Sequence, residues 1–436
     1  MRDVKYAVVA FLMALLVACA DGGSSSSGSL AKTDSSGSTS TTNDTSGPTA
    51  SALVTGLNVV PVTVDSGGST SGSYPNGIFV SVRVCAPGST TTCMVVDKIL
   101  LDTGSTGLRL TADALGSFAQ NLPAVTSGSQ SYSECYAFVS MATWGAVRSA
   151  DVYLGNEEAP ATSLDVLGGS AFSVPSTCGN HGRDLSDTSA DLGANGILGI
   201  DSSTQDCGSG CTSNAANDYY FLCTAGVAGC SGANADLSVQ VANPIARFVA
   251  ASDGITDNNG SLIVLPAAPA SGLQSATGSL VFGIATRSNN ALGTASPMTL
   301  DSAGNISATY KGQAYPDSYI DSGTNFYQVP DNSFSGCGNG TAGQGFACPS
   351  ATLSLQATIT GTNTAVSNSV DFSIANATQL FDAHGNYNVQ PELGGVPGGS
   401  IVVLGAPFFY GHSVFTSIEG QAVSGQQGTS AFQAYY

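Results

Sequence analysis

Residues 99–110 read ILLDTGSTGLRL, an apolar run that ends in one aspartate and a Thr-Gly-Ser turn. In a chain of 436 residues of which only 9% are charged, a carboxylate at that place asks for a reason. A second version stands at 319–330, YIDSGTNFYQVP. Each is followed further along by an apolar-apolar-Gly segment, ANGILGID at 194–201 and VVLGAPFF at 402–409. A lone Asp-Thr-Gly is an ordinary turn signal. A matched pair with matched downstream segments is the mark of a duplicated unit. The arrangement predicts that Asp102 and Asp321 face each other across a cleft.

The chemistry open to such a pair is specific. Two carboxyls held about 3 Å apart cannot both ionise, so they share one proton and titrate in two separated steps. The ionised member can take a proton from a bound water while the other protonates or polarises a carbonyl. The neighbours suit that work. Gly104 and Gly323 permit tight loops whose N–H groups approach the carboxylates. Ser105 and Thr324 can donate to the outer carboxylate oxygens, and the hydroxyls of Thr103 and Ser322 can bond across to the opposite loop. Leu198-Gly199 and Leu404-Gly405 are expected to lie beside the loops, with glycine giving clearance.

Around these motifs the chain shows short β-branched or aromatic runs cut by Gly, Asn, Asp and Pro, among them GIFVSVRVC at 77–85 and GSLVFGIA at 278–285. With 54 glycines and little helical periodicity, this is an all-β pattern. Only ANPIARFVAAS, 242–252, reads as a short helix.

The first 18 residues, basic and then apolar, read as a signal peptide too short to span a bilayer in the mature protein. The LVAC ending resembles a bacterial lipobox, which makes Cys19 the expected lipidation site and the outer membrane or cell surface the expected location. A single lipid and a tether would then hold the protein at a membrane. Residues 19–51 are the lipidated cysteine and a Ser/Gly/Thr linker with too little apolar surface to fold. The remaining length exceeds one ordinary core, so two lobes are expected, 52–235 and 236–436. A net charge of −19 with eleven basic residues argues against nucleic acid as a partner. No cofactor is implied and a monomer is expected.

Ten cysteines besides Cys19 in an exported chain suggest up to five disulfides. Proximity pairs Cys85 with Cys93, Cys207 with Cys211, Cys223 with Cys230 and Cys337 with Cys348, leaving Cys135 and Cys178. Crossed links within 207–230 remain equally open. No metal site is expected, because none of His181, His384 and His412 has a zinc-ligand spacing to the cysteines. The DNNG at 257–260 reads as a turn rather than a calcium loop. There is no G-x-S-x-G elbow, and a Ser-His-Asp triad would have to recruit one of three scattered histidines.

ILLDTGSTGLRL, ANGILGI, YIDSGTNFYQVP and IVVLGAPFFYGHSVF resemble, in the same order, the two halves of pepsin-like aspartic peptidases. More closely, the chain resembles an uncharacterised bacterial family of exported proteins marked by DTGS, a WG-x-V element and GANGILG. The resemblance implies a bilobal pepsin-like double β-barrel with one aspartate loop per lobe. It also implies that Asp102 and Asp321 form a catalytic pair, with a peptide or protein as substrate. Such enzymes close a β-hairpin flap carrying a tyrosine over the substrate. The corresponding stretch is CYAFVSMATWGAVRSADVYLG, 135–155, where Tyr136, Phe138 and Trp144 are the candidates for that role. Arg109 stands where such enzymes usually carry an aromatic that supports the flap tyrosine, and an arginine beside a catalytic carboxylate would lower its pKa. A competing expectation is a non-catalytic surface lipoprotein that binds a peptide or glycan, with both aspartates as structural acceptors. Carboxylate-based glycoside hydrolysis would need a wider separation of about 5–9.5 Å.

Overall fold

The computed structural model describes residues 49–69, 73–178, 183–225, 229–362 and 366–436. The expected signal peptide, Cys19, nearly all of the tether and His181 lie outside the described residues.

The apolar run before Asp102 forms the strand Cys93–Asp102, and Ile99, Leu100 and Leu101 are all buried. Consecutive burial without alternation means that both faces of the strand are covered. It pairs antiparallel with Ile78–Cys85, while the chain turns through 103–105 and returns as Thr106–Thr111. The strand Gly196–Ile200 inserts between the two, parallel to the first and antiparallel to the second, and sets Gly199 opposite Asp102. The second half repeats the plan. Gln313–Ile320 leads to Asp321, and Val403–Leu404 inserts parallel to it and antiparallel to Tyr327–Gln328. In both halves the Leu-Gly segment is thus the strand that wedges behind an aspartate loop. Its glycine is needed for clearance: a Cβ at Gly199 would come within 2.8 Å of the Ser105 backbone, and one at Gly405 within 2.4 Å of the Thr324 carbonyl oxygen.

A further set of strands ties the halves together. Val59–Val64 pairs with Ser275–Phe282, which pairs with Gly260–Val264, then Ser413–Ser417, then Phe432–Tyr435. Thr49–Ser51, read from composition as the end of the tether, instead runs parallel to Ser275–Thr277. Backbone pairing to a sheet edge asks nothing of the side chains, which is why polar residues can join it. Five disulfides form, the four neighbour pairs and Cys135–Cys178. Among the described residues no helix is long and apolar enough to cross a membrane.

The expected helix at 242–252 is reduced to one 3-10 turn, Ile245–Arg247. Phe248 leaves the helical region at ψ of 133°, and the Val249 N–H donates to the Glu158 carbonyl at 3.0 Å. A tertiary hydrogen bond has replaced the helical one. The 257–260 stretch is satisfied internally: Asp257 accepts from Arg287 Nε at 2.6 Å, and Asn259 Nδ2 donates to the Ile284 carbonyl at 3.0 Å.

Asp257 also has an acidic neighbour. Glu157 opens the strand Glu157–Leu167 and is buried beside Asp257. Burial, and then the Asp257 charge, push its carboxyl up to about 7 from 4.5. A folded-state pKa raised above the unfolded value gives stability that is complete below about 4.5 and is lost as pH rises through about 7. Glu157→Gln removes that titration, so thermal unfolding near pH 8 should show it more stable than the parent by on the order of 2 kcal/mol, with little difference near pH 4.

Candidate active site

Asp102 and Asp321 end equivalent strands, and each carboxylate receives the same pair of donors. Oδ1 of Asp102 accepts from the Gly104 N–H at 2.8 Å, and Oδ2 accepts from the Ser105 hydroxyl at 2.5 Å. Oδ1 of Asp321 accepts from the Gly323 N–H at 2.8 Å, and Oδ2 from the Thr324 hydroxyl at 2.6 Å. The loops also hold one another. The Thr103 N–H donates to Ser322 Oγ at 3.0 Å, and the Ser322 N–H donates to Thr103 Oγ1 at 2.9 Å. Ser322 Oγ then donates to the Leu101 carbonyl at 2.8 Å, reaching the strand that carries Asp102. Residues 219 positions apart in sequence are locked by reciprocal bonds.

The result is that the two carboxyls are held close together, each lying against the glycine of the opposite loop. Asp102 is held well above the usual carboxylate range, first by burial and then by the charge of Asp321, against the opposing bonds from Ser105 and Gly104. Both side chains are fully buried. Tyr74 and Tyr319 flank the pair, and both phenols are held above their usual range by burial and by the aspartate charges.

Gly104 and Gly323 fit between the loops because they lack a side chain. A Cβ at Gly104 would lie 2.7 Å from Asp321 Cγ, and one at Gly323 would lie 2.4 Å from Asp102 Oδ1. Gly323→Ala should therefore push the carboxyls apart. The expected outcome is that the two titration steps of the pair draw together, read by carbon-13 carboxyl NMR.

The stretch 135–155 does form a hairpin, Gln130–Ala137 against Met141–Leu154, with Cys135 opposite Trp144. Tyr136, Phe138 and Trp144 are all buried within it. Trp144 lies edge-on to Phe221 and donates its indole N–H to the Phe172 carbonyl at 3.3 Å. The outward-facing tip is instead Val139 and Ser140. The hairpin is strapped: Asp184–Leu185 pairs along Met141–Ala142, and the Cys135–Cys178 disulfide ties the other strand.

Arg109 turns away from the aspartate pair. Its guanidinium forks onto Glu134 at 2.8 and 3.0 Å, reaches Asp206 at 3.4 Å and caps the Thr106 carbonyl at 2.7 Å. The same group lies 3.7 Å from the centre of the Tyr136 ring. The expectation that Arg109 would depress a catalytic carboxyl is therefore corrected, because its charge is used inside the lobe. Sequence reading passed over Glu134, Asp165 and Asp206. The available signal was alternation, since Tyr132, Glu134 and Tyr136 share one face of a strand. Among the described residues no group of three or more His, Cys, Asp or Glu side chains is placed to hold a metal ion.

Two aspartate loops, each backed by an inserted strand in one of two barrel-like sheets, define a pepsin-like fold. The chain belongs to the family described as protein of unknown function (DUF3443), whose model matches residues 54–435. No curated protein matches it. Among solved structures it is similar to the aspartic proteinase from Irpex lacteus, at 16% identity and a TM-score of 0.45, over 86% of this chain and 96% of that chain.

Proposed function

We propose that this protein is an exported, lipid-anchored aspartic endopeptidase. The observation that carries the reading is the matched pair of loops, locked by reciprocal bonds, that holds Asp102 close to Asp321, each carboxylate supported by one backbone N–H and one hydroxyl. One shared proton leaves one ionised and one neutral carboxyl. The ionised member removes a proton from water as the water attacks the peptide carbonyl, and the neutral member donates to the carbonyl oxygen. The proton is then passed to the leaving nitrogen, and the pair returns to its starting state. Lobes at 52–235 and 236–436 bound the cleft, Cys19 carries the lipid, and the Ser/Gly/Thr segment spaces the domain from the membrane as a monomer.

A second reading is favoured by one observation: neither aspartate has exposed surface. A scaffold that binds a peptide or glycan elsewhere could keep the pair as structural acceptors. The test is cleavage of an unfolded protein and a peptide library from about pH 3 to about pH 7, with and without a statine-type inhibitor. Cleavage abolished by the inhibitor supports the peptidase. Silence from folded protein across the range supports the scaffold.

A further inference from the structure

Residues 74–77, Tyr-Pro-Asn-Gly, precede the strand Ile78–Cys85 and reach across to three distant segments. Asn76 is fully buried and uses every hydrogen-bonding site of its carboxamide. Its Nδ2 donates to the carbonyls of Asn325 and Gln390, both at 2.9 Å. Its Oδ1 accepts from the Gln390 N–H at 2.7 Å and from the Tyr410 hydroxyl at 2.8 Å. The Asn76 N–H donates to the Asn388 carbonyl at 2.6 Å, and the Tyr74 N–H donates to Asn388 Oδ1 at 2.8 Å. Asn325 returns a bond from Nδ2 to the Pro75 carbonyl at 3.1 Å.

The ends of this clamp matter more than the number of its bonds. Asn325 directly follows Thr324, whose hydroxyl holds Asp321. On the other side, Asn76 is three residues from Phe79, which pairs with Leu100 in the strand that delivers Asp102. Asn76 therefore connects the two aspartate loops by a route separate from the Thr103–Ser322 contacts. Its backbone has φ of +58°, a conformation that asparagine tolerates better than most side chains. One residue type thus meets both the backbone and the hydrogen-bonding requirement.

We infer that Asn76 is a positioning residue that sets how closely the Asp321 loop approaches Asp102. The inference rests on the reading of that pair as the reacting groups. Asn76→Gly is the informative variant, because glycine keeps the left-handed backbone and removes only the carboxamide. Tyr410→Phe, which deletes a single donor, is the milder companion should the glycine variant fail to fold. The primary readout is a carbon-13 carboxyl titration of the full-length chain with labelled aspartate. It reports the separation of the pair's two steps whether or not the protein hydrolyses anything. Tyr74 and Tyr319, the phenols that face the pair, stay neutral through this window.

The expected result is that the two steps draw together in Asn76→Gly, and less so in Tyr410→Phe, as the carboxyls separate. With a cleavable peptide, kcat should fall about 10²-fold while KM hardly moves. Unchanged step separation in a folded Asn76→Gly protein overturns the inference. If the parent cleaves nothing and the steps still draw together, positioning stands and the peptidase reading fails.

Discussion

On the proposed peptidase mechanism, Asp102→Asn and Asp321→Asn are each expected to lower the cleavage rate by about 10³–10⁴-fold or more, because each removes a group that exchanges a proton in that mechanism. The substitution is nearly isosteric. The remaining amide oxygen can still accept the Gly104 N–H, and the Ser105 hydroxyl can turn to accept from the new amide. The fold should therefore survive, and its pH dependence should change in a defined direction. The Asp102 carboxyl is held well above its usual range by burial and by Asp321. That gives stability complete below the unfolded value and lost as pH rises through the raised one. Asp102→Asn abolishes this loss, so urea unfolding at neutral pH should show the variant at least as stable as the parent. An inactive variant that is also grossly unfolded would count against a catalytic role and for a structural one. The same field sets the activity profile. The alkaline limb reports loss of the shared proton and should lie above the ordinary carboxylate range, and the acid limb reports gain of the second proton.

Much of this site was legible because its chemistry is local in sequence. Asp-Thr-Gly-Ser and Asp-Ser-Gly-Thr each contain a carboxylate, the backbone N–H that meets it and the hydroxyl that meets it, within four residues. The inserted strands were legible through their paired Leu-Gly segments, since a glycine that must clear a backbone leaves a mark in both halves. Asn76 was not. Tyr-Pro-Asn-Gly reads as a turn, and the partners of Asn76 lie 249 to 334 residues away with no pattern of their own. The flap candidates were legible as aromatics in a hairpin, but not as buried ones. Their covering comes from segments such as Asp184–Leu185 and from Phe221, whose proximity is tertiary. The failed helix at 242–252 has the same origin, a hydrogen bond to Glu158 that no local propensity encodes.

Arg109→Met should be among the most destabilising single changes in the protein. Glu134 is fully buried, and Arg109 supplies its bidentate partner. Removing one member of such a pair leaves an uncompensated buried charge, a loss of about 3–5 kcal/mol. The surroundings make accommodation harder. Asp165 and Asp206 lie beside the same glutamate, and both are held well above the usual carboxylate range, first by burial and then by the Glu134 charge. Without the guanidinium, Asp165 and Asp206 lose the charge that pulls their carboxyls down and are held higher still. The variant's stability should accordingly be recovered in part on acidification and lost as pH rises, measured by urea unfolding near pH 5 and pH 8. Arg109→Met with Glu134→Gln should regain part of the loss at pH 8, because the charge that had no partner is gone. The hairpin feels the change through Tyr136, whose ring loses the cation 3.7 Å from its centre, so hydrogen exchange in Gln130–Ala137 should quicken. The separation of the two Asp102–Asp321 titration steps should stay where it is, since Arg109 spends its charge on Glu134 and Asp206. A large shift of those steps in Arg109→Met would instead make this arginine part of the aspartate site.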